Sequence, residues 1–327
     1  MSSSYNSYIT SAIQYTVTYM GMSTVLIGVV GNTLNIVVFL SLKTFRENSC
    51  AFYLMFMSFV NIGQLITGQL SRVLITGFSI DLTIRSAFYC KFRAFGVEMF
   101  QFISLTCLCL ATIDQFLATC SHVYWQQWSN IKLARRLTVI STIFWILYSI
   151  PYLIFYNQIV SSTTNQTSCT YSNVNFQQYH VYMNNIILPG ALPLLITVTF
   201  GSLAYRNVRQ IAYRTIPLVR RELDKQLTNM VLIQIIFSFF ALLPYFILNV
   251  FPMVTNINSN PISSAQFSLS INIAACILYL YFAYPFYIYA CVSKRFRQQL
   301  FYVLFELHFN RWRRRIVPAN DICLEPK

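Results

Sequence analysis

The chain has 327 residues, of which 56 % are hydrophobic and only 10 % are charged, and its formal net charge is +14. A soluble domain carries about 25 % charged residues, so this composition cannot cover a globule of this size with polar surface. It excludes a soluble enzyme, a disordered chain and a collagen-like fibre, and the long apolar blocks exclude the short alternating strands of an outer-membrane barrel.

Seven apolar blocks follow one another along the chain. A helix that crosses the hydrocarbon layer needs about 20 mostly apolar residues, and each block has roughly this length. Because lipid offers the backbone no hydrogen-bond partner, we expect every block to be a helix. In chain order the blocks are residues 20–42, 51–76, 88–119, 137–158, 181–205, 228–251 and 266–291. The predicted fold is an all-α membrane protein, a seven-transmembrane helix bundle.

The basic residues predict how this bundle is oriented. Nearly all Lys and Arg residues follow the first, third, fifth or seventh block, on one side of the membrane; the exceptions are Arg72, Arg85, Lys91 and Arg93. Cytoplasmic loops attract Lys and Arg, so we expect a multi-pass membrane protein with its N-terminus outside and its C-terminus in the cytoplasm. The predicted divisions are an extracellular tail at 1–19, the transmembrane domain at 20–291 and a cytoplasmic segment at 292–327.

The third block carries an acidic residue inside the bilayer. At a helix rise of about 1.5 Å per residue, Glu98 lies ~12 Å inward from Cys90 at the outer rim, within a hydrocarbon layer ~30 Å thick. A carboxylate that faces lipid costs roughly 2.5–3.5 kcal/mol or more, so Glu98 should face the bundle interior. Gln101 shares its helix face. Arg72, in the outer part of the second block, is the candidate cation for the same region.

Two interpretations of Glu98 and Arg72 stay open from the residues alone. In the first, both line an outward-opening ligand cavity, where Glu98 meets a basic group of the ligand and Arg72 meets an acidic or amide group. Tyr245 and Asn249 of the sixth block are further candidates for binding the ligand. In the second, Glu98 and Arg72 form a structural ion pair without a ligand role.

Cys90 and Cys169 are the two of the nine cysteines that this topology places at the outer surface. They are therefore the expected disulfide in an oxidising compartment. The other cysteines lie in the blocks or face the cytosol, and most are interpreted as small packing residues. Asn165, in an Asn-Gln-Thr sequon of the same outer loop, is the candidate glycosylation site.

The segment after the seventh block predicts an eighth helix. Its apolar residues recur on one helical face; they are Phe296, Leu300, Val303, Leu304 and Leu307. This pattern indicates an amphipathic helix that lies on the inner leaflet of the bilayer. An arginine cluster suited to anionic headgroups follows it.

Residues spread over nearly the whole chain carry a family resemblance. They are Gly31-Asn32, Cys90 with Cys169, Asp114-Gln115-Phe116, Trp145, Pro189 or Pro193, Pro244, Pro285 with Tyr287 and Tyr289, and Phe296-Arg297. This set resembles the rhodopsin-like G-protein-coupled receptors, most of all the FMRFamide-type neuropeptide receptors of invertebrates. The resemblance implies a cell-surface receptor for a peptide or small ligand that signals through heterotrimeric G proteins by outward movement of the sixth helix. It implies no cofactor.

The sequence departs from the family at the inner face. Gln115 replaces the arginine of Asp-Arg-Tyr and cannot form an ion pair with Asp224 at the start of the sixth helix. We expect either higher basal activity or weaker coupling to G protein. Leu242 replaces the tryptophan two residues before Pro244. A proline inside a helix removes a hydrogen bond and kinks the helix, so Pro244 is the predicted hinge.

Two further departures concern the middle of the bundle. Asn61 stands where the family carries an aspartate, and Tyr284 replaces the asparagine before Pro285. A hard cation needs oxygen charge, so we expect the usual sodium pocket to be absent although Ser104 remains. Tyr289 matches the tyrosine of the same seventh-helix motif.

Other classes of function fit the residues less well. A transporter or channel is the alternative, but it favours internal repeats and more charge near the midplane. A seven-span chemosensory channel of the insect type has its N-terminus inside, against the distribution of basic residues.

His122, His180 and His308 are scattered, which favours neither a metal site nor a catalytic Ser–His pair, and we expect no enzyme. The basic residues adjoin the spans, which disfavours nucleic acid as a partner.

Overall fold

A computed structural model of the chain describes residues 2–41, 43–160, 167–211, 218–254 and 261–307. Within these ranges, seven helices are long and apolar enough to cross a membrane. In chain order they are span 1 (Ser7–Ser41), span 2 (Ser49–Gly77), span 3 (Ala87–Thr119), span 4 (Ile131–Phe155), span 5 (Val174–Gln210), span 6 (Lys225–Pro252) and span 7 (Ser264–Ala283). The prediction of a seven-helix transmembrane bundle is confirmed.

Several helices extend beyond the apolar blocks or change their pitch. The helix of span 1 is Ser2–Ser41, so it begins inside the predicted tail, and that of span 6 is Leu218–Val254. Spans 2 and 5 contain wide π-type turns, at Leu65–Leu70 and Val73–Gly77 in span 2 and at His180–Ala191 in span 5. The remaining helical segments of spans 2, 5 and 7 and of the connections are Lys43–Arg46, Ser49–Gln64, Leu82–Arg85, Val123–Gln126, Val174–Tyr179, Leu192–Ile211 and Pro261–Ala283.

A β-hairpin follows span 4, where the apolar pattern predicted helix up to residue 158. The helix ends at Phe155, and Tyr156–Val160 form strand β1. Strand β1 pairs antiparallel with strand β2, Thr167–Tyr171, and places Gln158 opposite Cys169. The helical prediction for these last residues was wrong because β2 offers their backbone groups a partner that an isolated apolar pattern does not reveal.

The disulfide between Cys90 and Cys169 is confirmed, with their Cα atoms 5.8 Å apart. It ties strand β2 to the first turn of span 3. Ser86 caps this helix by accepting a hydrogen bond from the backbone N–H of Tyr89 at 3.3 Å. We call this end of the bundle the disulfide side, and the opposite end, which carries most of the basic residues, the basic side.

Span 3 lies at the centre of the bundle. It packs against spans 2, 4, 5 and 6, while span 1 packs against spans 2 and 7. The ring of Trp145 in span 4 stacks on Phe102 in span 3 at a centroid distance of 4.7 Å, and its Nε1 donates to Oγ1 of Thr106 at 2.8 Å. Span 3 therefore presents residues to most of the other helices, including those around the cavity described below.

The chain turns after span 7. The helix breaks at Tyr284 and resumes as Pro285–Val292, with Pro285 at its first position, where no backbone N–H is needed. Ser293 then caps the eighth helix, Lys294–Phe301, which continues as a π-type turn at Tyr302–Leu307. Phe296 is fully buried, as the predicted amphipathic pattern requires.

Candidate functional site

A cavity of about 300 Å³ lies within the bundle near its disulfide side. Side chains of spans 2, 3, 5, 6 and 7 form its wall, and the hairpin contributes Tyr156, Cys169 and Tyr171. Its volume is at the lower end of the range of about 300–1,000 Å³ found for sites that hold small ligands. The covering hairpin is held in place by the disulfide, so the shape of the cavity depends on that bond.

Most of the residues predicted to bind ligand meet at this cavity. Arg72, Glu98, Gln101 and Tyr245 line it, although they come from three different spans. Asn249 is not among the lining residues. Its amide nitrogen donates to the backbone oxygen of Tyr245 at 2.7 Å, so it braces the helix one turn away from the cavity.

The carboxylate of Glu98 lacks a full set of partners. Its Oε1 lies 3.8 Å from Nδ1 of His180, and its Oε2 is buried without a hydrogen-bond partner. Arg72 instead donates from Nη2 to Oδ1 of Asn272 at 2.6 Å, and no ion pair joins it to Glu98. An unpaired carboxylate oxygen away from water is costly, and a cationic group in the cavity would remove that cost.

A network of polar side chains lies behind Glu98 and joins spans 4 and 5. Nδ1 of His180 is 2.7 Å from the hydroxyl of Tyr152, and the amide of Asn184 is hydrogen-bonded to the hydroxyls of Tyr152 and Tyr148. The hydroxyl of Tyr179 donates to that of Tyr148 at 2.7 Å. The sequence did not single out these residues. The only signal for them was that a carboxylate inside a span needs polar neighbours.

Arg93 is a second charged residue of the wall that the sequence did not assign to the cavity. It lies one helical turn after Cys90, on the face that carries the disulfide. Burial raises the pKa of Tyr156 above its usual value and that of Tyr171 to about 12, so both hydroxyls of the hairpin stay protonated. Apart from His180, the lining side chains of acidic or basic type are Glu98, Arg72 and Arg93.

Neutral polar residues form a cluster deeper in the bundle. Oγ of Ser104 donates to Oδ1 of Asn61 at 2.6 Å and lies 3.4 Å from the hydroxyl of Tyr281, and Nδ2 of Asn61 reaches Oδ1 of Asn32 at 3.4 Å. These four side chains are hydrogen-bonded to one another in a chain, and they supply no carboxylate. Such a set offers little to a hard cation, which prefers charged oxygen ligands.

On the basic side, hydrogen bonds connect span 3 to spans 2 and 6. Asp114 accepts from Oγ of Ser49 at 2.7 and 2.8 Å. Gln115, only 1 % exposed, accepts from Oγ1 of Thr228 at 2.7 Å, so spans 3 and 6 are linked without an ion pair.

The seventh-helix motif makes a second link of this kind. The hydroxyl of Tyr289 donates to Oε1 of Gln234 in span 6 at 2.5 Å. Asp224 falls on the helix of span 6, and its side chain lies outside the described part of the chain, as does Asn165 entirely. Pro244 lies inside the helix of span 6 between Leu242 and Tyr245, which both line the cavity.

A bundle of seven membrane helices, with a disulfide-anchored hairpin over an internal cavity, defines a multi-pass membrane protein with a site of ligand size. Residues 31–288 match the family described as 7 transmembrane receptor (rhodopsin family). The chain belongs to this family, whose members are receptors and not enzymes.

Two known receptors are similar in sequence to part of this chain. The chain is 27 % identical over 171 residues to somatostatin receptor type 2 of Mus musculus and, with the same identity and length, to that of Sus scrofa. The matched part is 51 % of this chain and 46 % of each relative, so the chain spans about half the length of the relatives it matches. The predicted membership of the rhodopsin-like receptors is confirmed, and the FMRFamide-type subgroup stays a prediction.

Proposed function

We propose that this chain is a plasma-membrane receptor that binds an extracellular ligand at Glu98 and signals through heterotrimeric G proteins. The observation that carries the proposal is the buried, unpartnered Oε2 of Glu98 in the wall of the cavity, in a chain of the rhodopsin family. A cationic group of the ligand is the natural partner of this oxygen. In this orientation the disulfide side faces the exterior and the basic side faces the cytoplasm.

The ligand is proposed to be a neuropeptide, with a small cationic molecule as the alternative. The relatives are receptors named for the peptide somatostatin, and the sequence resembles FMRFamide-type receptors. The hairpin that covers the cavity suits a ligand longer than a single amine. Val97, which also lines the cavity, stands where the family carries the aspartate that binds amines. Because valine has no charge, this residue disfavours a small amine as the ligand.

The geometry of span 6 supports a mechanism of activation by population shift. Leu242 and Tyr245 line the cavity on either side of Pro244. Nearer the basic side of the same helix, Gln234 is hydrogen-bonded to Tyr289 and Thr228 is hydrogen-bonded to Gln115. A ligand that binds better to the arrangement with the inner half of span 6 moved outward stabilises that arrangement. The two neutral hydrogen bonds on the basic side then break, and a surface for the G protein becomes accessible.

Nucleotide exchange on purified heterotrimeric G protein tests this proposal. Full-length receptor in lipid nanodiscs is mixed with the heterotrimer and a panel of short peptides that carry one Arg or Lys. We expect at least one basic peptide to accelerate exchange, and its neutral analogue, with Gln in place of the basic residue, to be much weaker. Peptide-dependent flux of solute across receptor-containing vesicles without any exchange would instead support the transporter or channel alternative.

Thr228→Val is expected to raise the basal rate of nucleotide exchange several-fold. Valine keeps the volume of threonine but removes the donor to Gln115, so the closed arrangement of spans 3 and 6 loses about 0.5–1.5 kcal/mol. The rate is measured without ligand at equal receptor concentration. Thr228→Ser, which keeps the hydroxyl, is the matched control and should retain the basal rate of the unmodified receptor. Equal basal rates for Thr228→Val and the unmodified receptor would remove this bond from the mechanism.

Asn165→Gln is expected to reduce the mass of the receptor expressed in animal cells by one N-linked glycan. Glycans are added only on the side of the membrane that becomes extracellular, so the shift reports the orientation of the loop between spans 4 and 5. Thr167→Ala keeps Asn165 but destroys the sequon and should give the same shift. An unchanged mass, together with an N-terminal epitope tag that stains only after permeabilisation, would reverse the proposed orientation.

A further inference from the structure

Two arginines stand where the ligand cavity meets a second cavity. This outer cavity has a volume of about 250 Å³ and is bounded by the end of span 2, the turn at Leu82–Arg85 and the start of strand β2. Arg72, Arg93 and Cys169 line both cavities. The two cavities therefore adjoin at the disulfide, with both arginines at their common boundary.

Neither arginine has a carboxylate partner among the described residues. Nη2 of Arg72 is held by Asn272, but its Nε is buried without a hydrogen-bond partner, and the same is true of Nε of Arg93. Asp81, which lines the outer cavity, accepts instead from the backbone N–H of Thr83 at 2.8 Å and from its hydroxyl at 2.5 Å. Two like charges at one boundary, each with an unsatisfied donor, favour the binding of an anion there.

We propose that Arg72 and Arg93 bind a carboxylate of the same ligand whose cationic group binds Glu98. This inference rests on the proposed receptor function and adds an acidic group to the basic group already proposed for the ligand. A guanidinium group presents paired N–H donors that match a carboxylate, which favours this anion over a neutral amide. The ligand is then a dipolar peptide, and its carboxylate is either the C-terminus or an acidic side chain.

The rise along span 3 gives the smallest separation of the two charges in the ligand. Arg93 precedes Glu98 by five residues, which is ~7.5 Å along the helix axis. One residue of extended peptide covers about 3.3–3.6 Å. The basic and acidic groups of the ligand should therefore lie at least about two residues apart.

Thermal unfolding of full-length receptor in detergent, with three matched tetrapeptide pools, tests the inference. All pools have Arg at the second position, and the remaining positions hold Ala, Leu, Phe or Tyr. The first pool ends in a free carboxylate and the second in an amide. The third also ends in an amide but has Asp or Glu at the fourth position. The receptors compared are the unmodified chain, Arg93→Gln, Arg72→Gln and the control Arg85→Gln, which replaces an exposed arginine outside both cavities.

We expect the first or the third pool to raise the Tm of the unmodified receptor more than the second pool does. A response to the first pool alone identifies the C-terminal carboxylate, and a response to the third identifies an acidic side chain. Arg93→Gln and Arg72→Gln should remove the difference between the pools, and Arg85→Gln should keep it. Titration of the best pool should show at least a tenfold loss of affinity in Arg93→Gln.

Three results would overturn the inference. The first is equal stabilisation of the receptor by all pools, and the second is no stabilisation by any pool. The third concerns Arg93→Gln: its Tm without peptide is lower, but the pools still differ in their effect as they do with the unmodified receptor. If all pools stabilise equally and Glu98→Gln removes this effect, the cationic contact of the proposed function survives and only the carboxylate site fails. Nucleotide exchange remains the separate readout of the proposed function.

Discussion

Glu98→Gln is expected to lower the potency of a basic peptide agonist by about 10- to 100-fold. A hydrogen bond to a charged group contributes about 1.5–3 kcal/mol, and a tenfold change in affinity corresponds to about 1.4 kcal/mol. The substitution keeps the size and shape of the side chain and removes only its charge. Because no Lys or Arg in the described ranges pairs with Glu98, the empty receptor loses little stability, and the amount at the cell surface should stay the same.

Dose–response curves of nucleotide exchange and surface staining of the same cells measure the two parts of this expectation. Glu47→Gln is the control, since it neutralises an exposed carboxylate on the basic side, far from the cavity. Glu98→Asp keeps the charge but shortens the side chain, so it should lose less potency than Glu98→Gln. Unchanged potency in Glu98→Gln at normal surface level would exclude Glu98 from the ligand site.

Cys90→Ser is expected to remove most of the receptor from the cell surface and to abolish peptide binding by what remains. The two cysteines are separated by 79 residues, and closing a loop of this size stabilises the folded state by about 4.5 kcal/mol in the chain-entropy description. The same bond anchors strand β2, which contributes Cys169 and Tyr171 to the cavity wall. Loss of the bond therefore affects both the stability of the fold and the shape of the cavity.

The pairing can be tested by comparing single and double variants. Cys169→Ser should match Cys90→Ser, and the double variant should be no worse than either, because one bond is lost in every case. Cys291→Ser replaces an exposed free cysteine and should keep normal surface level and Tm. Normal binding by Cys90→Ser, or a clearly additive loss in the double variant, would contradict a shared role of the two cysteines.

The membrane fold was largely predictable, as two particular cases show. The spans could be located because apolar length is a local property that requires no knowledge of contacts. Cys90 and Cys169 could be paired because the basic residues divide the loops between two sides, and only these two cysteines fall on the disulfide side. The paired strands Tyr156–Val160 and Thr167–Tyr171 could not be predicted, because a strand is stabilised by a partner whose position depends on the disulfide.

The candidate site was predictable only in part. Glu98, Gln101, Arg72 and Tyr245 could be named because polar groups inside apolar blocks are conspicuous, and a helix face follows from their spacing. Arg93 and Asn184 were not recognised, and Asn249, predicted to bind ligand, does not line the cavity. Whether a side chain at the rim of a span faces a cavity depends on the rotation and tilt of the helix, which neighbouring helices determine.

The amino-acid sequence by itself determined the number of spans, the distribution of charge between their two ends and the presence of one carboxylate at membrane depth. These follow from the transfer of each residue between water and lipid, which is summed along the chain and is nearly independent of contacts. The tertiary structure alone decided that Glu98 faces His180 rather than Arg72, that Arg72 and Arg93 meet at one boundary, and that Gln115 bonds to Thr228. Those outcomes depend on packing between helices far apart in the chain and on π-type turns that rotate span 5.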